Sequence, residues 1–386
     1  MVGFRNEMTP GFEVLEDEGV KAGRSPVVVR RYQCRCGRPV FFRNSVCLAC
    51  RAPLGYEPDL ARMCPLDPAG DGIWTLSGWL PLKVYRRCDN LETAAACNWL
   101  VDANGPERLC QCCRLNRTIP DLNVKQNADD WNKIETAKRR LVSTLIALGL
   151  PVRSRVSEDT AQGLAFDFLH SLPGGPPVMT GHDDGIITLN VEEADDATRE
   201  RHRQNLNEPY RTLLGHLRHE VGHYYWDRLI AGTPLLEGFR ELFGDEAQDY
   251  AAALHRHYSD GPPADWRDRF VSAYASAHPW EDWAETWAHY MHITDTWDTS
   301  LSFGVDVDAG VEFDGFTCHA LARPDLPGSA GFLNFLNSWT QLTAVMNELS
   351  RAMGLADFYP FVLSQRAVAK LHFVHMAISG AAVDRV

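Results

Sequence analysis

The stretch Leu213-Leu214-Gly215-His216-Leu217-Arg218-His219-Glu220-Val221-Gly222-His223 decides how this chain is read. On a helix, His219 and His223 are four residues apart and share one face, so both imidazoles reach a single metal ion. Glu220 follows the first of them and projects beside the open coordination position. A carboxylate there takes a proton from metal-bound water as a general base. A surface helix with two solvated histidines would carry the same letters, so the motif needs a partner elsewhere in the chain.

That partner is Trp280-Glu281-Asp282-Trp283-Ala284-Glu285-Thr286-Trp287-Ala288-His289, a second helical pattern in which Glu281 and Glu285 share a face. Trp283, Ala284 and Trp287 beside them read as buried, and a carboxylate in such surroundings needs a cation or hydrogen-bond donors. Glu281 is the expected third zinc ligand, and Glu285 the group that orients a ligand histidine through its other ring nitrogen. The fallback third ligands are Glu241, Asp245 and Glu246, which lie 18 to 23 residues beyond His223. His278, His289 and His292 are also within sequence reach of the metal. The last two read as helix-face residues, and His278, just before Pro279, as a substrate-binding residue.

Ten of the eleven cysteines precede residue 114, and they come in close pairs, which points to metal rather than disulfides. Cys34 and Cys36, then Cys47 and Cys50 after ten intervening residues, form two knuckles that complete one tetrahedral zinc site. So short a segment has little core, and metal would supply its folding energy. Cys88, Cys97, Cys110 and Cys113 suggest a second structural zinc, with Cys112 as a substitute ligand. Cys64 and Cys318 read as small buried hydrophobes. Trp74, Trp79 and Trp99 are expected to pack around the modules.

The net charge of −13 is unevenly spread: residues 1–121 hold 16 Lys/Arg against 14 Asp/Glu, which leaves −15 for the remainder. Broad phosphate binding by the larger part is disfavoured, and so is a strong nucleic-acid partner at the near-neutral front. No apolar run has membrane-spanning length, and the charged first twenty residues offer no secretory signal; a cytoplasmic location is expected. Composition changes after Ile119-Pro120-Asp121-Leu122. Asp129-Asp130 look like a cap before a helix with Trp131, Ile134, Ala137, Leu141, Leu145 and Leu148 at helical spacing, ending at Gly149. Residues 185–191 read as a strand set off by His182-Asp183-Asp184-Gly185, and from Pro209 onward the pattern is almost entirely helical. The expected class is α+β. An extension at 1–28, a zinc ribbon at 29–60 and a second cysteine-rich module at 61–121 precede a mostly helical, zincin-like domain with a small sheet at 122–386.

The two histidines followed by a helix bearing Glu-x-x-x-Glu resemble the gluzincin clan of metallopeptidases, with the catalytic domain of anthrax lethal factor as the nearest likeness. There a tyrosine precedes the ligand glutamate by seven residues, as Tyr274 precedes Glu281. The resemblance implies that Tyr274 donates its hydroxyl to the oxyanion of the tetrahedral intermediate. Over nearly the whole chain, the cysteine-rich front followed by Arg218-His219-Glu220-Val221-Gly222-His223-Tyr224-Tyr225-Trp226 resembles a bacterial family of zinc-binding metallopeptidases with an N-terminal zinc ribbon. The metzincin pattern is absent, because Trp226 and Leu229 stand where it needs Gly and His. The expectation is therefore a zinc-dependent peptidase with one catalytic and one or two structural zinc ions, acting on a peptide or protein held extended against residues 185–191. The ribbon region is a candidate for a protein partner, and membranes are not. Two rivals share these residues: a zinc amidase acting on a small molecule, and a zinc-ribbon adaptor carrying an inactive zincin body.

Overall fold

The computed structural model describes residues 28–79, 83–171, 174–175, 178–205, 211–305 and 314–383. Apart from Val28, the expected N-terminal extension lies outside these residues. The front begins with a hairpin of β1 (Tyr32–Gln33) and β2 (Pro39–Val40). An antiparallel sheet follows, in the order β3 (Leu54–Glu57), β4 (Arg62–Gly70), β5 (Ile73–Leu76), β6 (Tyr85–Arg87) and β7 (Leu100–Asp102). Strands β3 and β4 pair across residue 60, so 29–60 and 61–121 are parts of one folded unit. A short strand cannot leave its ladder groups unpaired in an interior, and the partner of β3 lies beyond the expected break.

The break at 121 is crossed as well. β8 (Asn116–Thr118) joins β9 (Ala165–Leu169), β11 (Ile186–Asn190) and β10 (Gly181–Asp183) in a second sheet of order β10-β11-β9-β8. One continuous core carries Cys34, Cys47, Cys97 and Trp99 of the front together with Trp131, Phe166, Trp283 and Trp339 of the remainder. Trp74 packs on a smaller cluster around Cys64, Leu66, Leu76, Tyr85 and Leu100. Trp79 departs from expectation at 50% exposure, as does Cys318, which faces solvent.

Helix α1 (Lys125–Ala147) buries Trp131, Ile134, Leu141 and Leu145 and closes at Gly149, whose φ of +71° suits a residue without Cβ. It starts one turn before the expected cap: Asp130 is inside the helix, buried, and takes a hydrogen bond from Gln126 at 2.9 Å. The strand expected at 185–191 forms at Ile186–Asn190, but it is interior, antiparallel to β10 and parallel to β9. Asp184 and Gly185 both have positive φ (+43° and +78°), which makes them the two-residue turn of a hairpin. The chain before them thus becomes a strand, β10, and takes the edge.

The rest is helical: α2 (Asp196–Asn205), α3 (Leu213–Leu229), α4 (Leu235–Phe243), α5 (Tyr250–Asp260), α6 (Trp266–Arg269), α7 (Pro279–Ser302), α8 (Ser329–Ala352) and α9 (Gln365–Val383). No helix among the described residues is long and apolar enough to cross a membrane. Helices α3 and α7 pack intimately because Gly222 has no side chain. A Cβ there would stand 3.0 Å from the Ala284 backbone and 3.2 Å from the Trp287 side chain. The Trp283 indole donates to the Gly222 carbonyl at 2.8 Å, and Tyr225 stacks on Trp287 with centroids 5.0 Å apart.

Candidate metal centre

Helix α3 is started by Thr212, whose hydroxyl accepts from the Gly215 N–H at 3.0 Å. Two turns later it presents His219 and His223 to α7. Their Nε2 atoms lie 3.3 Å apart, and Glu281 brings Oε2 to 3.0 Å from His219 Nε2 and Oε1 to 3.6 Å from His223 Nε2. The three side chains form one cluster of ligand atoms.

His219 Nδ1 lies 2.8 Å from Glu285 Oε1, and a carboxylate accepts, so Nδ1 carries a proton; Nε2 carries a second one in the charged imidazolium and offers a lone pair to a metal once that proton leaves. Glu285 is held in turn by the Ser272 hydroxyl at 2.6 Å. His219 Nε2 faces Glu281 Oε2, a buried carboxylate oxygen, at 3.0 Å. A buried carboxylate calls for positive charge beside it, which a protonated His219 or a metal ion held by both supplies. A tetrahedral zinc with bonds of about 2.0–2.1 Å sets its ligand atoms roughly 3.3 Å apart, close to the spacings found, so the residues fit the metal.

Charge distribution agrees with this fit. Burial pushes His223 down to about 4, keeping the imidazole neutral and its lone pair available. Burial alone would lower His219 too, yet Glu281 and Glu285 hold it well above its ordinary value, marking a position that favours positive charge. Glu220 is pushed up to about 7 by burial, opposed by His219 and assisted by Glu281 and Glu285. Tyr274 stands in a 3₁₀ turn with its ring 6.0 Å from that of His219. Burial and the nearby Glu281 raise its phenol, which therefore keeps its proton.

The other candidates lie elsewhere. His278 is 3% exposed and caps α7: Nδ1 accepts from the Trp280 N–H at 3.1 Å, and Nε2 donates to the Gln248 carbonyl at 3.2 Å. Both nitrogens are engaged, which leaves none for a substrate and corrects the binding role expected of it. His289 pairs with the Tyr359 hydroxyl, and His292 accepts from Arg218, each at 2.6 Å. Glu246 is clamped by Arg240, and Glu241 and Asp245 are exposed and outside the cluster.

Three neighbours of the centre escaped the sequence reading. Tyr250 of α5 donates to Glu281 Oε1 at 2.6 Å, Ser272 holds Glu285, and His182 of β10 lies 6.3 Å from the His223 ring. The Asp184-Gly185 turn pair at the start of the expected strand was the available signal, and it pointed to β10.

In the front, Cys34, Cys36, Cys47 and Cys50 gather, and so do Cys88, Cys97, Cys110 and Cys113. Sulfur separations of 3.6 Å (Cys34–Cys50), 3.8 Å (Cys36–Cys47) and 3.6 Å (Cys97–Cys110) are far too long for disulfides. They match the edge of roughly 3.8 Å that zinc–sulfur bonds of about 2.3 Å set in a tetrahedron. Cys112 is not part of the second group; it is fully buried beside Lys138 and Glu135, and burial raises its thiol.

A histidine pair and a glutamate on crossed helices, behind a front with two cysteine groups, give three places that could each hold a metal ion. The family model described as "Putative zinc-binding metallo-peptidase" matches residues 127–377, and a zinc-ribbon domain model matches residues 31–124. The chain belongs to that metallopeptidase family. It is 42% identical to the uncharacterized protein Rv2568c of Mycobacterium tuberculosis, over 92% of this chain and 97% of that one. The uncharacterized protein Mb2598c of Mycobacterium bovis is similar to the same extent, 42% over 92% and 97%. No solved structure matches the chain.

Proposed function

We propose that the protein is a gluzincin-type zinc peptidase in which His219, His223 and Glu281 hold the catalytic zinc and Glu220 is the general base. The observation that carries this reading is the convergence of three ligand atoms from two helices, with Glu281 Oε2 at 3.0 Å and His223 Nε2 at 3.3 Å from His219 Nε2. Zinc bound there supplies a Lewis acid that acidifies water and polarises a carbonyl.

The remaining steps belong to the chain. Glu220, buried and at about 7, accepts a proton from the attacking water and returns it to the leaving amine. Tyr274, kept protonated, donates to the oxyanion. Glu285, braced by Ser272, keeps His219 in the tautomer that offers Nε2. Among the described residues the edge strand β10 has a free ladder side suited to an extended peptide, which favours peptides over small amides as substrates. Two structural zinc ions at the cysteine groups bring the proposed total to three.

The test is Glu220→Gln. This variant is expected to retain the metal content of the parent and to lose at least about a hundredfold in peptide hydrolysis, read by mass spectrometry on an unbiased peptide mixture. Unchanged hydrolysis would remove Glu220 as the base.

A further inference from the structure

We infer that Tyr250 is a positioning residue for the metal centre, selecting which oxygen of Glu281 is offered as ligand. The inference rests on the zinc reading and adds to it a residue from a helix that the histidine motif does not predict.

Glu281 has two oxygens in different surroundings. Oε1 takes the Tyr250 hydroxyl hydrogen at 2.6 Å, whereas Oε2 faces His219 Nε2 at 3.0 Å. A carboxylate free to rotate about its last bond would exchange the two oxygens. One donor fixed on Oε1 stops that rotation and leaves Oε2 directed at the cation. A phenol is well suited to hold the carboxylate in this way.

Tyr250 is itself held in place. Its ring packs edge-on against His278 with centroids 5.1 Å apart, and His278 donates to the carbonyl of Gln248, two residues before it. Asp249 caps the helix by accepting from the Ala252 N–H at 3.0 Å. His278 thus ties the start of α7, which carries Glu281, to the start of α5, which carries Tyr250. Tyr274 has another part in the proposed mechanism: its ring lies by His219, and it is the residue assigned to the oxyanion.

The experiment compares Tyr250→Phe with Tyr274→Phe in the full chain. Zinc affinity of the histidine site is measured by chelator competition, and the visible spectrum is recorded after cobalt substitution. Tyr250 is 38% exposed and the change removes one oxygen, so the fold should persist; thermal unfolding checks this. Tyr250→Phe should weaken zinc about 10- to 100-fold, alter the cobalt spectrum, and recover most of its turnover at saturating zinc. Tyr274→Phe should keep the parent affinity and lose turnover. A Tyr250→Phe protein that binds zinc within about twofold of the parent, with an unchanged cobalt spectrum, would overturn the assignment and leave the zinc reading intact. A parent chain whose zinc content is the same as that of His219→Ala/His223→Ala would overturn both.

Discussion

Which nitrogen of His219 faces the cleft is decided by one carboxylate. Glu285 accepts the Nδ1 proton at 2.8 Å and is itself fixed by Ser272, so Nε2 is the nitrogen turned toward His223 and Glu281. Glu285→Ala should therefore lower zinc affinity at the histidine site by about 10- to 100-fold while leaving the cysteine-bound zinc unchanged. Metal titration with elemental analysis checks it, and an unaltered histidine-site affinity would deny Glu285 this role. At this scale the sequence was informative wherever spacing alone sets geometry. His219 and His223 must share a face because helix pitch requires it, and so must Glu281 and Glu285. It was silent on Ser272 and Tyr250, whose contacts depend on how separate elements meet.

Between elements, the decisive feature is the crossing of α3 and α7. Gly222 lies between the two histidines in sequence and opposite Ala284 and Trp287 in space, so the residue that lets the helices touch also sets the reach from His219 to Glu281. Gly222→Val should destabilise the protein by about 1–3 kcal/mol through overpacking. It should also reduce zinc occupancy of the histidine site, because separated helices carry their ligands apart. Urea unfolding with metal analysis tests both; full occupancy in a destabilised variant would uncouple the crossing from the site. Sheet order shows the limits of local reading in the same way. The β-branched, apolar run at 185–191 located a strand, but whether a strand is interior or at an edge depends on its neighbours, and the Asp184-Gly185 turn added β10 outside it.

Across the whole molecule, the front is fastened to the body by buried charge. Arg30 reaches Asp295 of α7 at 3.0 Å, and the same aspartate takes Arg140 of α1 and Arg218 of α3, each at 2.7 Å. Arg218 directly precedes His219, so the ribbon, the core helix and the helices that carry His219 and Glu281 share one anion. Acid should loosen this body. His372, buried between α8 and α9, is lowered from 6.5 to about 4 by burial, with His375 adding to the effect. Its folded form is neutral, and the unfolded chain takes up the proton first. Its contribution to stability is therefore complete above 6.5 and is lost as pH falls from 6.5 towards about 4. Denaturant unfolding across that window should give a shallower pH dependence for His372→Gln than for the parent. Parallel slopes would show that this histidine does not titrate as its burial requires.

From its sequence alone the chain declared its ligand chemistry: cysteines in knuckles, histidines one helical turn apart, and carboxylates on an apolar helix, each set by spacing that local backbone geometry converts into a shared face. Tertiary structure decided the rest. It brought Glu281 rather than Glu241, Asp245 or Glu246 to the histidines, turned His278 into a helix cap, joined two expected modules through the β3–β4 ladder, and put the Tyr250 hydroxyl on Glu281. The reason is physical: pitch and pleat act over a few residues and are written locally, whereas convergence depends on crossing angles and close approaches that only the packed core determines.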